Sequence, residues 1–190
     1  TSIEFVGDSG SNGGGTTAKL DIDSVPALGT GDWTIDCWVR FKDLTGTYCG
    51  IAENYTGGTS GSWIVSTYSS TKKVGFYAQG SGGISWVYGN TVLAVDTWYH
   101  VAIVHSSQNL KIYLNGVNDS STAGGWSTTN NAFSRPGVNV GASHNTNNPD
   151  LDGYLDEFRI SKGIARWTAN FTPPTRPYSY VDLNSNLNVA

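Results

Sequence analysis

Asp156 is the residue of this sequence whose position most demands a chemical role. It lies in a strand-forming stretch, residues 153–161, in which alternate side chains share a face. Regular alternation would put the Asp156 carboxylate beside Tyr154, Phe158 and Ile160. A buried charge is costly unless it is paired, hydrogen-bonded or bound to a metal. The sequence therefore predicts a partner for Asp156.

Calcium is one partner for such a carboxylate, because Ca²⁺ takes about six to eight oxygens from carboxylates, amides and backbone carbonyls. Asp8, in the polar loop after the first predicted strand, is the second predicted ligand. EF-hand spacing is absent. The alternative is that Asp156 accepts hydrogen bonds from backbone amides or hydroxyls.

Aromatic side chains form the second group of candidate binding residues. Trp86 and Tyr88 share one face of a predicted strand. Further candidates lie in or beside polar loops: Trp63, Tyr68, Trp126, His144 and Asn145. Aromatic rings offer apolar faces to the C–H surfaces of sugars, and polar groups fix their orientation. The alternative for each ring is a place in the core, although seven Trp and ten Tyr residues exceed what a core of this size needs.

One predicted early strand carries two different faces. Cys37 belongs to an apolar row, whereas Asp36, Trp38 and Arg40 form the opposite face. That polar face either lines a groove on a sheet or packs under a loop. Cys37 and Cys49 lie on consecutive predicted strands, and the sequence leaves open whether they are buried free thiols or a cross-strand disulfide.

Glycoside hydrolysis requires paired carboxylates, which the sequence does not provide. Most glycosidases place two carboxylates about 5–10 Å apart across the scissile bond. The three glutamates, Glu4, Glu53 and Glu157, lie on different segments, and no alternating acidic triplet occurs. Asp156 and Glu157 are neighbours, so regular alternation would turn them to opposite faces. We therefore expect no catalytic residues and no enzyme activity.

Alternating apolar and polar residues, separated by turn-forming clusters, predict an all-β sandwich of antiparallel strands. Residues 106–109 predict a hairpin, and Asn115-Gly116 is typical of a tight primed turn. We predict one domain over residues 1–178 and a linker or tail over residues 179–190. The predicted strands lie near residues 2–6, 17–22, 32–42, 48–53, 62–68, 73–79, 83–88, 97–105, 109–115, 137–141 and 152–161.

Composition narrows the range of partners. The chain has 190 residues, of which 14% are charged, and a net charge of −4. This acidic balance argues against nucleic acid as a partner, because its binders usually present basic patches. No stretch approaches the ~20 apolar residues of a membrane-spanning helix.

Four segments together resemble the laminin G-like (concanavalin A-like lectin/glucanase) superfamily. They are residues 33–41 (WTIDCWVRF), 98–104 (WYHVAIV), 110–116 (LKIYLNG) and 153–174, which begins GYLDEFRIS. The resemblance implies a two-sheet antiparallel jelly-roll sandwich. It also implies a calcium ion, which members often carry, since Asp156 matches the acidic position of their Leu-Asp-Glu motif. Glucanase members place their carboxylates on one strand as Glu-x-Asp-x-x-Glu, a pattern that this chain lacks.

Residues and resemblance together predict a non-catalytic recognition or adhesion module. Its expected partner is a glycan of a cell surface or matrix, bound with or without help from calcium. The alternative is a structural module of a surface filament, fibre or virion that makes protein contacts instead. We predict an extracellular, cell-surface or virion-surface location. The prediction rests on the low charge, on the abundance of Gly, Ser, Thr and Asn, and on where members of the resembled family usually occur.

Overall fold

The computed structural model describes residues 2–7, 19–55, 59–80, 83–121, 126–127, 133–141 and 150–178. The 3₁₀ turn Ser69–Thr71 is the helical element of these ranges, and nothing helical in them has the length and apolarity needed to cross a membrane. The strands of the described ranges are, in chain order, β1 (Ile3–Phe5), β2 (Leu20–Ile22), β3 (Trp33–Phe41), β4 (Gly50–Glu53), β5 (Ser62–Tyr68), β6 (Lys73–Gly80), β7 (Gly83–Tyr88), β8 (Trp98–Ser106), β9 (Asn109–Leu114), β10 (Val117–Asn118), β11 (Trp126–Ser127), β12 (Val138–Val140) and β13 (Gly153–Lys162).

Two antiparallel sheets are stacked as a sandwich. Sheet A has seven strands, ordered β1-β13-β3-β8-β9-β10, and β11 also pairs with β9. Sheet B has six strands, ordered β2-β12-β4-β5-β6-β7. The predicted all-β, two-sheet antiparallel sandwich is confirmed, and every predicted strand overlaps an observed one. The unpredicted strands β10 and β11 are two residues long, which is too short for an alternating pattern.

The core lies between the two sheets, where alternate side chains of facing strands meet. Trp33 of sheet A and Phe76 of sheet B are both fully buried, with their ring centroids 5.7 Å apart. Phe133 packs on both rings, at 5.2 Å from Trp33 and 5.9 Å from Phe76. Burial of each large ring contributes about 1.5–3 kcal/mol or more to folding. This aromatic contact joins the sheets.

Two tight turns fix the register of β8, β9 and β10. In the first, Ser107 and Gln108 have φ angles of 48° and 63°. In the second, Asn115 and Gly116 have φ angles of 50° and 80°. Positive φ at both central residues belongs to the primed turns, whose twist matches that of paired strands. Both predicted turns are confirmed.

The chain that follows β13 crosses the outer face of sheet A. We call residues 163–178 the C-terminal strap. Trp167 and Phe171 of the strap stack with centroids 4.0 Å apart. They pack on a small apolar cluster of the sheet that includes Val104 and Tyr113. Sheet A is therefore covered on both faces over part of its area.

Candidate binding site

The outer face of sheet B carries a group of aromatic side chains. Val87 points into the core and is 4% exposed, so its neighbours Trp86 and Tyr88 point outward, where both are half-buried. The two rings thus share one face of β7, as the alternation predicted. We call the set that they form with three further rings the aromatic platform; the three are Tyr48, Tyr68 and Tyr77.

Ring contacts hold the aromatic platform together. The Trp86 centroid lies 5.2 Å from those of Tyr48 and Tyr77 and 5.3 Å from that of Tyr68. Tyr68 in turn stacks on Tyr88, with centroids 4.3 Å apart and ring planes within 6° of parallel. Aromatic pairs at such distances contribute about 0.5–1.5 kcal/mol each beyond their burial. The rings therefore support one another and form a preorganised surface.

The register of sheet B explains why these rings meet. Tyr77 of β6 lies directly opposite Trp86 of β7 on one side and Ile64 of β5 on the other. Cross-strand neighbours on one face have Cβ atoms about 4.5–5.5 Å apart. The sequence prediction missed Tyr77, which the register of the β6–β7 hairpin would have revealed. It also missed Tyr48, which precedes β4 in a loop and carries no periodic signal.

Polar groups accompany the rings. The Tyr77 hydroxyl donates a hydrogen bond of 3.1 Å to Oε1 of Gln79, which lies on the same face two residues along β6. Burial, with Tyr55 nearby, raises the pKa of Tyr77 to about 12, so this hydroxyl stays protonated at neutral pH. The platform thus combines ring faces with hydroxyl and amide groups that donate and accept hydrogen bonds.

The structure corrects the prediction for Trp63, which is wrong. This ring is 1% exposed and stacks on Phe76 in the core, with centroids 6.4 Å apart. Because β5 begins at Ser62, Trp63 is already inside the strand and alternates to the core face. Its place in the interior prevents contact with a ligand. Four predicted site groups lie outside the described part of the chain: His144, Asn145, Asp8 and the side chain of Trp126.

The surroundings predicted for Asp156 are also wrong. The register of β13 on β3 shifts between Asp156 and Arg159, so that two residues of β13 face Cys37. This β-bulge contains Glu157, which has a φ of 52°. The extra residue resets the alternation: Phe158 packs against the core, whereas Asp156 faces outward. The predicted row of Asp156 with Phe158 does not form.

The bulge also brings two carboxylates into one cleft, contrary to the predicted opposite faces. We call this cleft, of about 430 Å³, the tryptophan cleft; its walls are Trp38, Trp98, Asp156, Glu157 and residues 174–177. The backbone N–H of Glu157 donates a hydrogen bond of 3.0 Å to Oδ1 of Asp156. The sequence left a backbone amide as the alternative to a metal ion as the partner of Asp156, and the structure shows such an amide.

The described residues supply only part of the predicted calcium site. Among them, no group of three or more His, Cys, Asp or Glu side chains is placed to hold a metal ion. Asp156 has a second carboxylate beside it in Glu157, but Asp8 lies outside the described residues. Calcium at Asp156 therefore stays a prediction.

The deeply buried carboxylate on the outer face of sheet A is Asp36, which is 1% exposed beneath the C-terminal strap. Arg159 donates two hydrogen bonds to it, of 3.1 and 2.9 Å, and the Tyr178 hydroxyl donates a third. Burial raises the pKa of Asp36, but its interactions with His100, Arg159 and Tyr178 outweigh burial and lower it below the usual value. The sequence left open whether the polar face of β3 lines a groove or packs under a loop. At Asp36 that face lies under the C-terminal strap.

Both cysteines are buried free thiols. Cys37 lies on β3 of sheet A, and Cys49 immediately precedes β4 of sheet B. Burial raises the pKa of each thiol, which keeps both protonated and unreactive in the folded protein. Of the two alternatives that the sequence left open, the structure has the free thiols.

The fold and its aromatic platform can now be compared with known proteins. The family model described as the concanavalin A-like lectin/glucanases superfamily, in its laminin G form, matches residues 12–166. The chain belongs to this superfamily. The resemblance seen in its strand motifs is thereby confirmed. No protein with a curated function matches this concanavalin A-like chain in sequence.

Solved structures support the same concanavalin A-like architecture. Domains LG4-5 of the mouse laminin alpha1 chain align with a TM-score of 0.61 at 14% identity, covering 84% of this chain and 40% of that one. The carbohydrate-binding module CBM40 of a Ruminococcus gnavus sialidase, bound to α2,3-sialyllactose, aligns at 0.59 and 10% identity, covering 85% and 89%. A heptameric pentraxin of Limulus polyphemus aligns at 0.57 and 15% identity, covering 90% and 77%. At these identities the likeness concerns the fold alone.

Proposed function

We propose that this protein is a non-catalytic glycan-binding module and that the aromatic platform is its binding surface. The observation that carries the proposal is the pair Trp86 and Tyr88, half-buried on the outer face of β7 and held in place by neighbouring rings. Superfamily membership and a carbohydrate-binding module among the structural neighbours support it.

The chemistry of the platform suits a sugar better than a flat protein interface. Pyranose rings present C–H faces that pack on aromatic rings, while their hydroxyls need donors and acceptors at the edge of the site. Trp86 and Tyr88 supply ring faces, and the side-chain amide of half-buried Gln79 supplies polar contacts. Tyr77, which is 7% exposed, supports Trp86 and Gln79 from within the sheet. A purely apolar surface would lack these polar groups.

Catalysis at the platform is not expected. Hydrolysis of a glycosidic bond requires two carboxylates that flank it. Glu53, which lies opposite Ile64 in the same cross-strand row as Tyr77, is fully buried. Its carboxylate cannot reach a sugar that rests on the outer surface of the rings. We therefore propose recognition without bond cleavage, at a cell, matrix or virion surface, as the low charge and polar composition support.

The test is a glycan microarray, followed by titration of the best ligand against Trp86→Ala, Tyr88→Ala and the double variant. Each ring should contribute about 1–1.5 kcal/mol, so each single variant should bind about tenfold more weakly and the double variant should lose measurable binding. Loss of the ring contacts should lower the melting temperature by about 2–4 °C for each kcal/mol removed, while the untouched core between the sheets keeps the variants folded at 25 °C.

Trp98→Ala is the matched control, because Trp98 is 38% exposed on sheet A and makes no part of the platform. It should bind the glycan like the unchanged protein. Full affinity in the folded double variant would place the glycan elsewhere. Failure of the folded, unchanged protein to bind any glycan would favour the assembly module, with protein contacts through the same rings.

A further inference from the structure

The tryptophan cleft is a second concave site, on the opposite side of the sandwich from the aromatic platform. Its volume of about 430 Å³ lies within the range of small-ligand pockets, about 300–1,000 Å³. Trp98 is 38% exposed at its edge. Trp38 packs edge-on against the buried ring of His100, with centroids 5.3 Å apart, which fixes the position of the indole. Two tryptophans therefore wall a preformed space.

The carboxylates of the cleft are held in fixed orientations by backbone amides. Asp156 accepts from the N–H of Glu157, and Glu157 accepts through Oε2 from the N–H of Tyr178 at 2.5 Å. The bulge that aligns them places Glu157 in the left-handed region, where non-glycine residues are uncommon.

The charge of the lining is negative. The lining contains two carboxylates, Asp156 and Glu157, and one guanidinium, that of the exposed Arg176. The formal charge of these lining residues is therefore −1. Two neighbouring cations of the sheet are paired with other residues. Arg40 binds Asp96 at 2.7 Å, and Arg159 binds Asp36 at 2.9 Å.

We propose that the tryptophan cleft binds the cationic end of a basic side chain, lysine or arginine, presented by a protein partner. Indole faces attract cations and also pack on the apolar stem of such a side chain. The two oriented carboxylates supply the charge-assisted hydrogen bonds that the cationic head requires. A neutral ligand would gain nothing from the excess negative charge. The proposal is independent of glycan binding at the aromatic platform.

The experiment titrates the folded protein, in EDTA so that no calcium occupies Asp156, with Nα-acetyl-lysine amide and with Nα-acetyl-norleucine amide, its neutral counterpart. The tryptophan indole N–H signals are followed by NMR. The lysine compound should shift the Trp38 and Trp98 signals and bind clearly more tightly than the norleucine compound. Asp156→Asn and Glu157→Gln keep an acceptor oxygen for each backbone amide, so the fold should be retained. Each should weaken binding about three- to fivefold, as expected for one partly exposed charge.

The Arg176→Gln variant tests the role of charge most directly. Removal of the cation at the rim of the cleft should strengthen binding of the lysine compound about threefold. Asp21→Asn, which removes an acidic group on sheet B that is paired with Lys19, should change nothing. Equal affinity for both compounds, or an Arg176→Gln variant that binds no better, would overturn the proposal. Trp86→Ala with Tyr88→Ala should leave lysine binding intact, so failure here is distinguishable from failure of the glycan proposal.

Discussion

Gly75 shows how a single residue shapes the aromatic platform. It lies on the outer face of β6, beneath the rings of Trp86 and Tyr68. A Cβ at this position would lie 3.0 Å from Cζ3 of Trp86 and 3.0 Å from Cβ of Tyr68. Glycine weakens a strand interior, yet here its missing side chain allows the rings to lie down on the sheet. We infer that Gly75 sets the height and tilt of the platform.

Gly75→Val should therefore displace Trp86 and Tyr68 and reduce glycan affinity about tenfold, while the strand pairing persists. Valine suits a strand, but the overpacking should cost about 1–3 kcal/mol of stability. Gly31→Val is the control, because a Cβ at Gly31 meets nothing within 4 Å. Titration calorimetry with thermal denaturation would measure both effects, and a Gly75→Val variant of unchanged affinity would contradict this role.

Asp36 is 1% exposed, and its carboxylate is the partner of the Arg159 guanidinium. Asp36→Asn would leave Arg159 without its buried partner, which should lower the free energy of unfolding by about 3 kcal/mol. Asp96→Asn, at the exposed pair with Arg40, should cost less than about 1 kcal/mol. Urea denaturation of the two variants would compare them, and equal losses would contradict the importance of burial.

The lowered pKa of Asp36 also predicts a pH dependence. Because its folded-state pKa lies below its unfolded-state value, the carboxylate contributes its full stability above the unfolded pKa, about 3.9. That contribution is lost as the pH falls through the folded-state pKa. The unchanged protein should therefore lose more stability below about pH 4 than Asp36→Asn does. Parallel acid titrations that coincide would contradict this expectation.

At the scale of elements, the C-terminal strap depends on a close approach to the turn between β9 and β10. The N–H of Phe171 donates a hydrogen bond of 2.8 Å to the carbonyl of Gly116. A Cβ at Gly116 would lie only 1.9 Å from the carbonyl oxygen of Phe171. Glycine is thus required for two reasons, its φ of 80° and the contact with the strap.

Gly116→Ala should detach or displace the strap, whereas Gly29→Ala provides a control with matched backbone strain. Gly29 has a φ of 78°, and a Cβ there meets nothing within 4 Å. Both variants pay the cost of positive φ, about 1–2 kcal/mol, but only Gly116→Ala adds a clash. We expect its melting temperature to be lower by a further ~5 °C, with faster proteolysis within residues 163–178. Equal melting temperatures would contradict the proposed contact.

Elements with a local signal could be predicted, whereas those fixed by long-range pairing could not. The residue types of Asn115 and Gly116 predicted their turn. Alternation along β7 predicted that Trp86 and Tyr88 share one face. The bulge at Glu157 has no such signal, because glutamate is not a residue that favours positive φ. One extra residue there inverted the predicted face of every side chain after it. The prediction for Trp63 failed for another reason. Its strand was predicted with the observed bounds, Ser62–Tyr68, but both faces of that strand carry apolar residues, so alternation did not show which face turns toward the core.

At the scale of the whole molecule, the two outer faces carry different features. Sheet A carries the strap and the tryptophan cleft, and sheet B carries the aromatic platform. Asp156, the predicted calcium ligand, belongs to the first face, so an ion held there would not touch a glycan on the second. Calcium would then act on stability and not on affinity.

We accordingly predict that EDTA lowers the melting temperature by a few degrees and that added calcium restores it, while glycan affinity stays the same in both. Differential scanning calorimetry and titration in matched buffers would measure the two properties. Asp156→Asn should abolish the effect of EDTA on melting. A melting curve indifferent to EDTA and calcium would contradict calcium binding, and an EDTA-sensitive affinity would contradict its separation from the platform.

The path of the strap has a consequence for handling the protein as a reagent. Tyr178, where the described chain ends, is anchored to Asp36 on the side of the sandwich away from Trp86. A bead, sensor chip or dye coupled through the outer face of sheet A would leave the platform turned toward the sample. Coupling through Lys73, which lies opposite Tyr68, would instead obstruct the rings. The position of the attachment therefore determines whether the aromatic platform of the immobilised protein stays accessible to a ligand.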